Sequence, residues 1–83
     1  MSFPVLDMVA TGKRIRELRI AKHLRVEDIS AYMGFETPQA VYKWQRGQSM
    51  PTVDNLYALS ALFGVPVDEI LMGETKRTEM DER

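Results

Sequence analysis

The stretch Thr37-Pro38-Gln39-Ala40-Val41-Tyr42-Lys43-Trp44-Gln45-Arg46-Gly47 concentrates the chemistry of this chain: a hydroxyl, an amide, a phenol and two cations within one short segment. Stepped about 100° per residue, Gln39, Tyr42, Lys43 and Arg46 fall on one side of a helix and Ala40, Val41 and Trp44 on the other. The apolar side belongs in a core, with Trp44 as its anchor. The polar side offers groups that hydrogen-bond base edges and phosphates in a major groove. Both ends of the helix are marked. Thr37 can cap the first turn, Pro38 suits the first helical position because its missing N–H would be unpaired anyway, and Gly47 can take the left-handed conformation that stops the helix.

Other helices must hold this one in place. A first helix is expected over residues 11–22, with Ile15 and Leu18 inward and Lys13, Arg14 and Arg16 outward. A second spans 26–33, where Glu27 and Asp28 favour the positive helix end and Gly34 ends the helix. Thr52 caps a fourth over 53–63, whose Leu56, Leu59, Leu62 and Phe63 form the largest apolar stripe. A brief fifth is expected over 65–72. No strand pattern competes, so the chain reads as an all-α, compact five-helix domain over 11–73. An apolar arm over 1–10 precedes it, and a polar tail over 74–83, expected to be disordered, follows.

Composition narrows the function further. The 83 residues suffice for one small core and not for a catalytic plus a regulatory domain. There is no cysteine and one histidine, His23, so no metal site and no cofactor is expected; His23 reads as a helix-end residue tolerating an unusual backbone angle. Asp54, Asp68 and Glu69 fall in first turns of helices, where carboxylates are ordinary, and no nucleophile motif or phosphate loop occurs, so an enzyme is not expected. No stretch approaches a membrane span and no signal peptide opens the sequence, which makes a cytoplasmic, nucleoid-associated location the expectation. The net charge of −1 conceals a polarity: residues 13–46 hold eight Lys/Arg against four acids, and residues from 47 onward three against seven. A basic half can neutralise phosphates.

The order of the helices, the Gly34 turn, the Val41-Tyr42-Lys43-Trp44-Gln45-Arg46-Gly47 run and the Pro51…Leu56…Leu59…Leu62 spacing resemble the Cro and phage-repressor type of helix-turn-helix protein, the Xre family, over roughly residues 11–72. The resemblance implies a lambda-repressor-like fold in which the second helix crosses the DNA backbone and the third enters the major groove. It places Gln39 and Lys43 at base-reading positions, with Tyr42 beside them: Gln39 for adenine N6 and N7, Lys43 for guanine O6 or N7. For Tyr42, a thymine methyl, a sugar, a phosphate or plain surface packing all remain open. Thr37 and Arg46, and around them Arg25, Arg19, Gln48 and Ser49, match phosphate contacts. Arg25 and Val26 replace the family's usual polar pair at the start of the second helix. Gln45 stands where a glutamate usually bonds an arginine of the first helix, here Arg19; the neutral pair is expected to free Arg19 toward a phosphate. His23 stands where a glycine is usual.

Two functions follow as expectations. The first is a sequence-specific transcriptional regulator, a repressor binding double-stranded DNA at a palindromic operator as a homodimer, its contact surfaces being Val67, Ile70, Leu71 and Met72 or the arm from Phe3 to Val9. The second is a protein-interaction module, such as an antitoxin or adaptor, using the same fold to hold a protein partner.

Overall fold

The computed structural model describes residues 3–74. Among them run four α-helices and one 3-10 turn: α1 (Met8–Ala21), α2 (Val26–Met33), α3 (Gln39–Gln45), α4 (Val53–Phe63) and the turn Val67–Glu69. The tail expected to be disordered lies, beyond Glu74, outside the described residues.

Helix α1 starts three residues before the position its apolar period suggested. The Asp7 carboxylate accepts from the Ala10 N–H at 2.9 Å, and the Thr11 N–H closes the first turn onto the Asp7 carbonyl. Met8, Val9 and Ala10 supply no polar face, so periodicity alone missed this turn. The helix closes at His23, whose φ of 59° lets its N–H reach the Ile20 carbonyl and the Leu24 N–H reach that of Arg19. His23 thus performs a glycine's task. Gly34 ends α2 as expected at φ 78°, and Gly64 ends α4 in the same way at φ 71°.

The inner faces of all these elements meet in one core. Ile15, Ile29, Val41, Leu59, Phe63 and Ile70 are fully buried. Helix α1 packs against α3 at Gly12, where a Cβ would overlap the Trp44 carbonyl oxygen and meet the Gln45 carbonyl at 3.0 Å. Glycine at this position is therefore what allows the two backbones to touch.

The fifth helix is shorter than expected. Only Val67–Glu69 is helical, because Pro66 lacks a donor and enters extended, and because the chain from Met72 turns away to pair with the arm. The Asp7 N–H donates to the Met72 carbonyl at 2.8 Å, the Glu74 N–H to the Val5 carbonyl at 2.9 Å, and Leu6 and Gly73 form an antiparallel bridge. Fully buried Thr11 joins them by accepting the Met72 N–H at 2.9 Å, and Arg14 Nε donates to the Glu69 carbonyl at 2.7 Å. The two ends of the described chain are clasped against α1. Ile70, expected on a contact surface between subunits, is instead a core residue at 0% exposure, while Val67 and Leu71 pack partly against the core.

Candidate nucleic-acid interface

Helix α3 divides as the helical wheel requires at every position but Tyr42, which is expected outward and packs partly against the core. Val41 and Trp44 are buried and Ala40 packs against the core, whereas Gln39, Lys43 and Arg46 are exposed. The helix is shorter at both ends than the expected 37–46. Pro38 occupies the cap position, Thr37 Oγ1 accepts from the Gln39 N–H at a long 3.4 Å, and the first helical bond runs from Tyr42 N–H to the Pro38 carbonyl. At the other end Gly47, at φ 73°, lets its N–H bond the Trp44 carbonyl and the Gln48 N–H bond that of Lys43. The Tyr42, Lys43 and Trp44 carbonyls are thereby satisfied, and Ser49 comes to lie beside Gln39 and Lys43 of the outward face.

An open depression of about 450 Å³ brings Thr37, Gln39, Lys43 and Ser49 together, with Phe35, Glu36 and Ala40 completing its lining. The side chains of Gln39 and Lys43 make no hydrogen bond or ion pair with another described residue, so an amide and an ammonium stand open beside each other. Tyr42 lies outside this lining. It is half-buried against the core, and the Arg46 guanidinium lies 5.6 Å from its ring centroid, a cation–π pair one turn apart. That contact orients Arg46 at the helix end.

Arg25 and Arg19 have different fates. Arg25 precedes α2 with its side chain 75% exposed; Nη2 meets the Asp28 carboxylate at 3.1 Å, and Asp28 also accepts the Arg25 N–H at 2.7 Å. This is half a capping box, because a guanidinium has no acceptor to return the bond. The side-chain hydrogen bond from Arg25 holds the Asp28 carboxyl below the ordinary carboxylate range. Arg19 does face Gln45, as its position implied, with Nε donating to Oε1 at 2.8 Å. It is not thereby freed toward a phosphate: Nη1 donates at 2.8 Å to the Leu24 carbonyl. Arg19 instead ties α1, the following turn and α3 together.

The turn between α2 and α3 is equally fixed. The Ser30 hydroxyl, buried to 5% exposure, donates to the Thr37 carbonyl at 3.0 Å, and the Phe35 ring stands edge-on to Trp44 at 5.9 Å. Two helices joined by a pinned turn, the second presenting an open polar face, make a helix-turn-helix unit. The sequence profile of the helix-turn-helix family matches residues 15–70. The chain belongs to the Xre family of helix-turn-helix DNA-binding transcriptional regulators.

Within this family, the chain is similar to the transcriptional activator BcrR of Enterococcus faecalis, 31% identical over 63 residues. That match covers 76% of this chain and 30% of BcrR. The regulator DdrOP3 of Deinococcus deserti is 31% identical over 61 residues, covering 74% of this chain and 46% of DdrOP3. The chain thus spans less than half the length of either curated relative. Among solved structures, the restriction-modification controller protein C.AhdI of Aeromonas hydrophila superposes with a TM-score of 0.69 at 31% identity. There the match covers 77% of this chain and 96% of C.AhdI. Among the described residues of this Xre protein, no helix is long and apolar enough to cross a membrane, and no group of three or more candidate ligands gathers to hold a metal ion.

Sequence reasoning missed two residues that build the interface, Gly12 and Ser30. Gly12 broke no pattern inside a helical run, and Ser30 resembled an ordinary polar position in α2. The signal available for Gly12 was its place one turn before Ile15 on the inner face, where a helix without a side chain invites close approach.

Proposed function

We propose that this Xre protein is a sequence-specific regulator that docks α3 in the major groove of a palindromic operator, acts as a homodimer in the cytoplasm at the nucleoid, and represses by occlusion. One observation carries the reading: Gln39 and Lys43 stand exposed and unpaired on a face whose backbone is fixed from behind by Trp44, Ser30 and Arg19. Gln39 pairs with adenine, Lys43 with guanine, and Tyr42 contributes an edge contact while it orients Arg46. Thr37, Arg46, Gln48, Ser49 and Arg25 contact phosphates and set register. Arg25 does so in competition with Asp28. Arg19 is a positioning residue.

A dimer is required because one short helix spans few base pairs, and two of them on half-sites about 34 Å apart multiply the discrimination. Phe3, Val5, Leu6, Val9 and Met72, all exposed apolar side chains around the clasp, are the surface we assign to that contact. The same exposed patch favours the second reading, a module that holds a protein partner. Light scattering on the free protein and on its DNA complex distinguishes them, with a dimer on DNA supporting the first.

The reading is tested by selecting bound duplexes from a random library and titrating the winner and a scrambled control at two salt concentrations. An inverted-repeat motif with a specificity ratio of around 10³ or more is expected. Weak binding that falls equally with salt for both duplexes, and no enriched motif, would reduce the basic face to an electrostatic footprint.

A further inference from the structure

The connection from Gly34 to Pro38 is anchored on both sides of Glu36. Before it, the Phe35 N–H donates to the Ser30 carbonyl at 2.9 Å and the Phe35 ring rests edge-on against Trp44. After it, the Thr37 carbonyl accepts the buried Ser30 hydroxyl. Between two fixed neighbours, Glu36 is exposed, and it lines the same open depression as Gln39 and Lys43. Its carboxylate makes no hydrogen bond or ion pair with another described residue. It caps nothing, because the Gln39 N–H is taken by Thr37 Oγ1.

A carboxylate on a surface that meets phosphates weakens binding to every sequence unless a donor satisfies it. Ionised, it accepts hydrogen bonds and gives none. In the major groove only the cytosine N4 and adenine N6 amines donate; guanine N7 and O6 and thymine O4 are acceptors. Gln39 already supplies the donor and acceptor that adenine takes together. An acceptor-only group beside it matches the cytosine amine.

We propose that Glu36 is a base-selecting residue of this interface, accepting from a cytosine N4 amine and excluding guanine and thymine at that position. The proposal rests on the DNA-reading function given above. The backbone on either side of Glu36 is held before DNA arrives, which fixes the point from which its carboxylate reaches the groove.

The test selects duplexes from one random library with the parent protein, Glu36→Ala and Glu36→Gln, then titrates each with the parent's winner and a scrambled duplex. The parent's motif should hold one cytosine per half-site that Glu36→Ala relaxes and Glu36→Gln moves toward adenine. Glu36→Ala should lose about 5- to 100-fold on the parent's winner, with scrambled binding equal or tighter. An unchanged motif, with both duplexes bound more tightly by one common factor, would overturn the proposal and leave a carboxylate that only repels phosphates. A parent that enriches no motif removes the DNA-reading function itself, and is told apart because the failure shows before any substitution. Thermal melting of both variants at the parent's midpoint, as their exposed and unpaired position requires, keeps the comparison one of recognition; the near-isosteric Glu36→Gln decides it if Glu36→Ala melts early.

Discussion

Two regions fasten distant parts of the chain to α1, and they do it by different means. At α3 the fastening is by side chains: Trp44 in the core, Gln45 on Arg19, and the missing Cβ of Gly12 that lets the helices meet. At the terminal clasp, main-chain groups of Val5, Leu6 and Asp7 meet those of Met72, Gly73 and Glu74, with the Thr11 hydroxyl and the Arg14 guanidinium adding bonds from α1 to the Met72 N–H and the Glu69 carbonyl, while Phe3, Val5, Leu6 and Val9 leave their apolar side chains exposed. The first arrangement fixes the outward face of α3 through the side chains behind it. The second closes the fold and leaves its outer surface open to another molecule. The proposed recognition face and the closure of the fold are thus held by different sets of bonds, and the closure can be weakened without touching the face.

The largest effect should come from the α3 side. Trp44→Ala empties a site only 3% exposed and should cost about 3–5 kcal/mol, much of the stability of a small domain, read as a lowered denaturation midpoint with loss of DNA binding. Gly12→Ala comes next. Overpacking against a backbone carbonyl costs about 1–3 kcal/mol and outweighs the roughly 0.5–1 kcal/mol that alanine ordinarily gains over glycine in a helix, so urea titration should show a net loss. At the clasp, Asp7→Ala removes the cap of α1 and should cost about 1 kcal/mol by the same titration, while the affinity of the folded fraction for DNA stays at the parent's value.

The smallest effect is a pH dependence at the edge of the reading unit. The Asp28 carboxyl titrates lower in the folded protein than in the unfolded chain, because Arg25 bonds its charged form. Its contribution is therefore present above the unfolded value of about 4 and is lost as pH falls through the folded one. The stability difference between the parent and Asp28→Asn should shrink on acidification below about pH 4 in parallel denaturant titrations. A difference independent of pH would show that the pair does not couple to folding.

The same contrast explains what was legible in the amino-acid sequence. The inward Val41 and Trp44 of α3, the inward Ile15, Ile29 and Leu59, and the left-handed Gly34, Gly47 and His23 follow from side-chain type and spacing, the Arg19–Gln45 pair follows from the family resemblance, and the structure places them as read; Tyr42, expected outward, packs partly against the core. The clasp was invisible because the bonds between its two segments use N–H and C=O groups that nearly every residue carries, and the Thr11 and Arg14 side chains that add to it also bond main-chain groups. For the same reason the fifth helix was overextended: Leu71 and Met72 have helical spacing, but the backbone of Met72 bonds Asp7 and Thr11. Arg19 shows the remaining limit. Its partner was legible from the resemblance, and the second bond, from Nη1 to the Leu24 carbonyl, depends on a turn whose path only the folded backbone defines.

The central claim is that the outward face of α3 reads sequence while its flanks hold phosphate. It is tested by titrating Gln39→Ala, Lys43→Ala and Arg46→Ala against a selected duplex and its scrambled counterpart at fixed salt. Gln39→Ala and Lys43→Ala should each weaken the selected duplex by about 1–3 kcal/mol with little change on the scrambled one, and Arg46→Ala should weaken both alike. Equal losses on the two duplexes for all three variants would contradict the account.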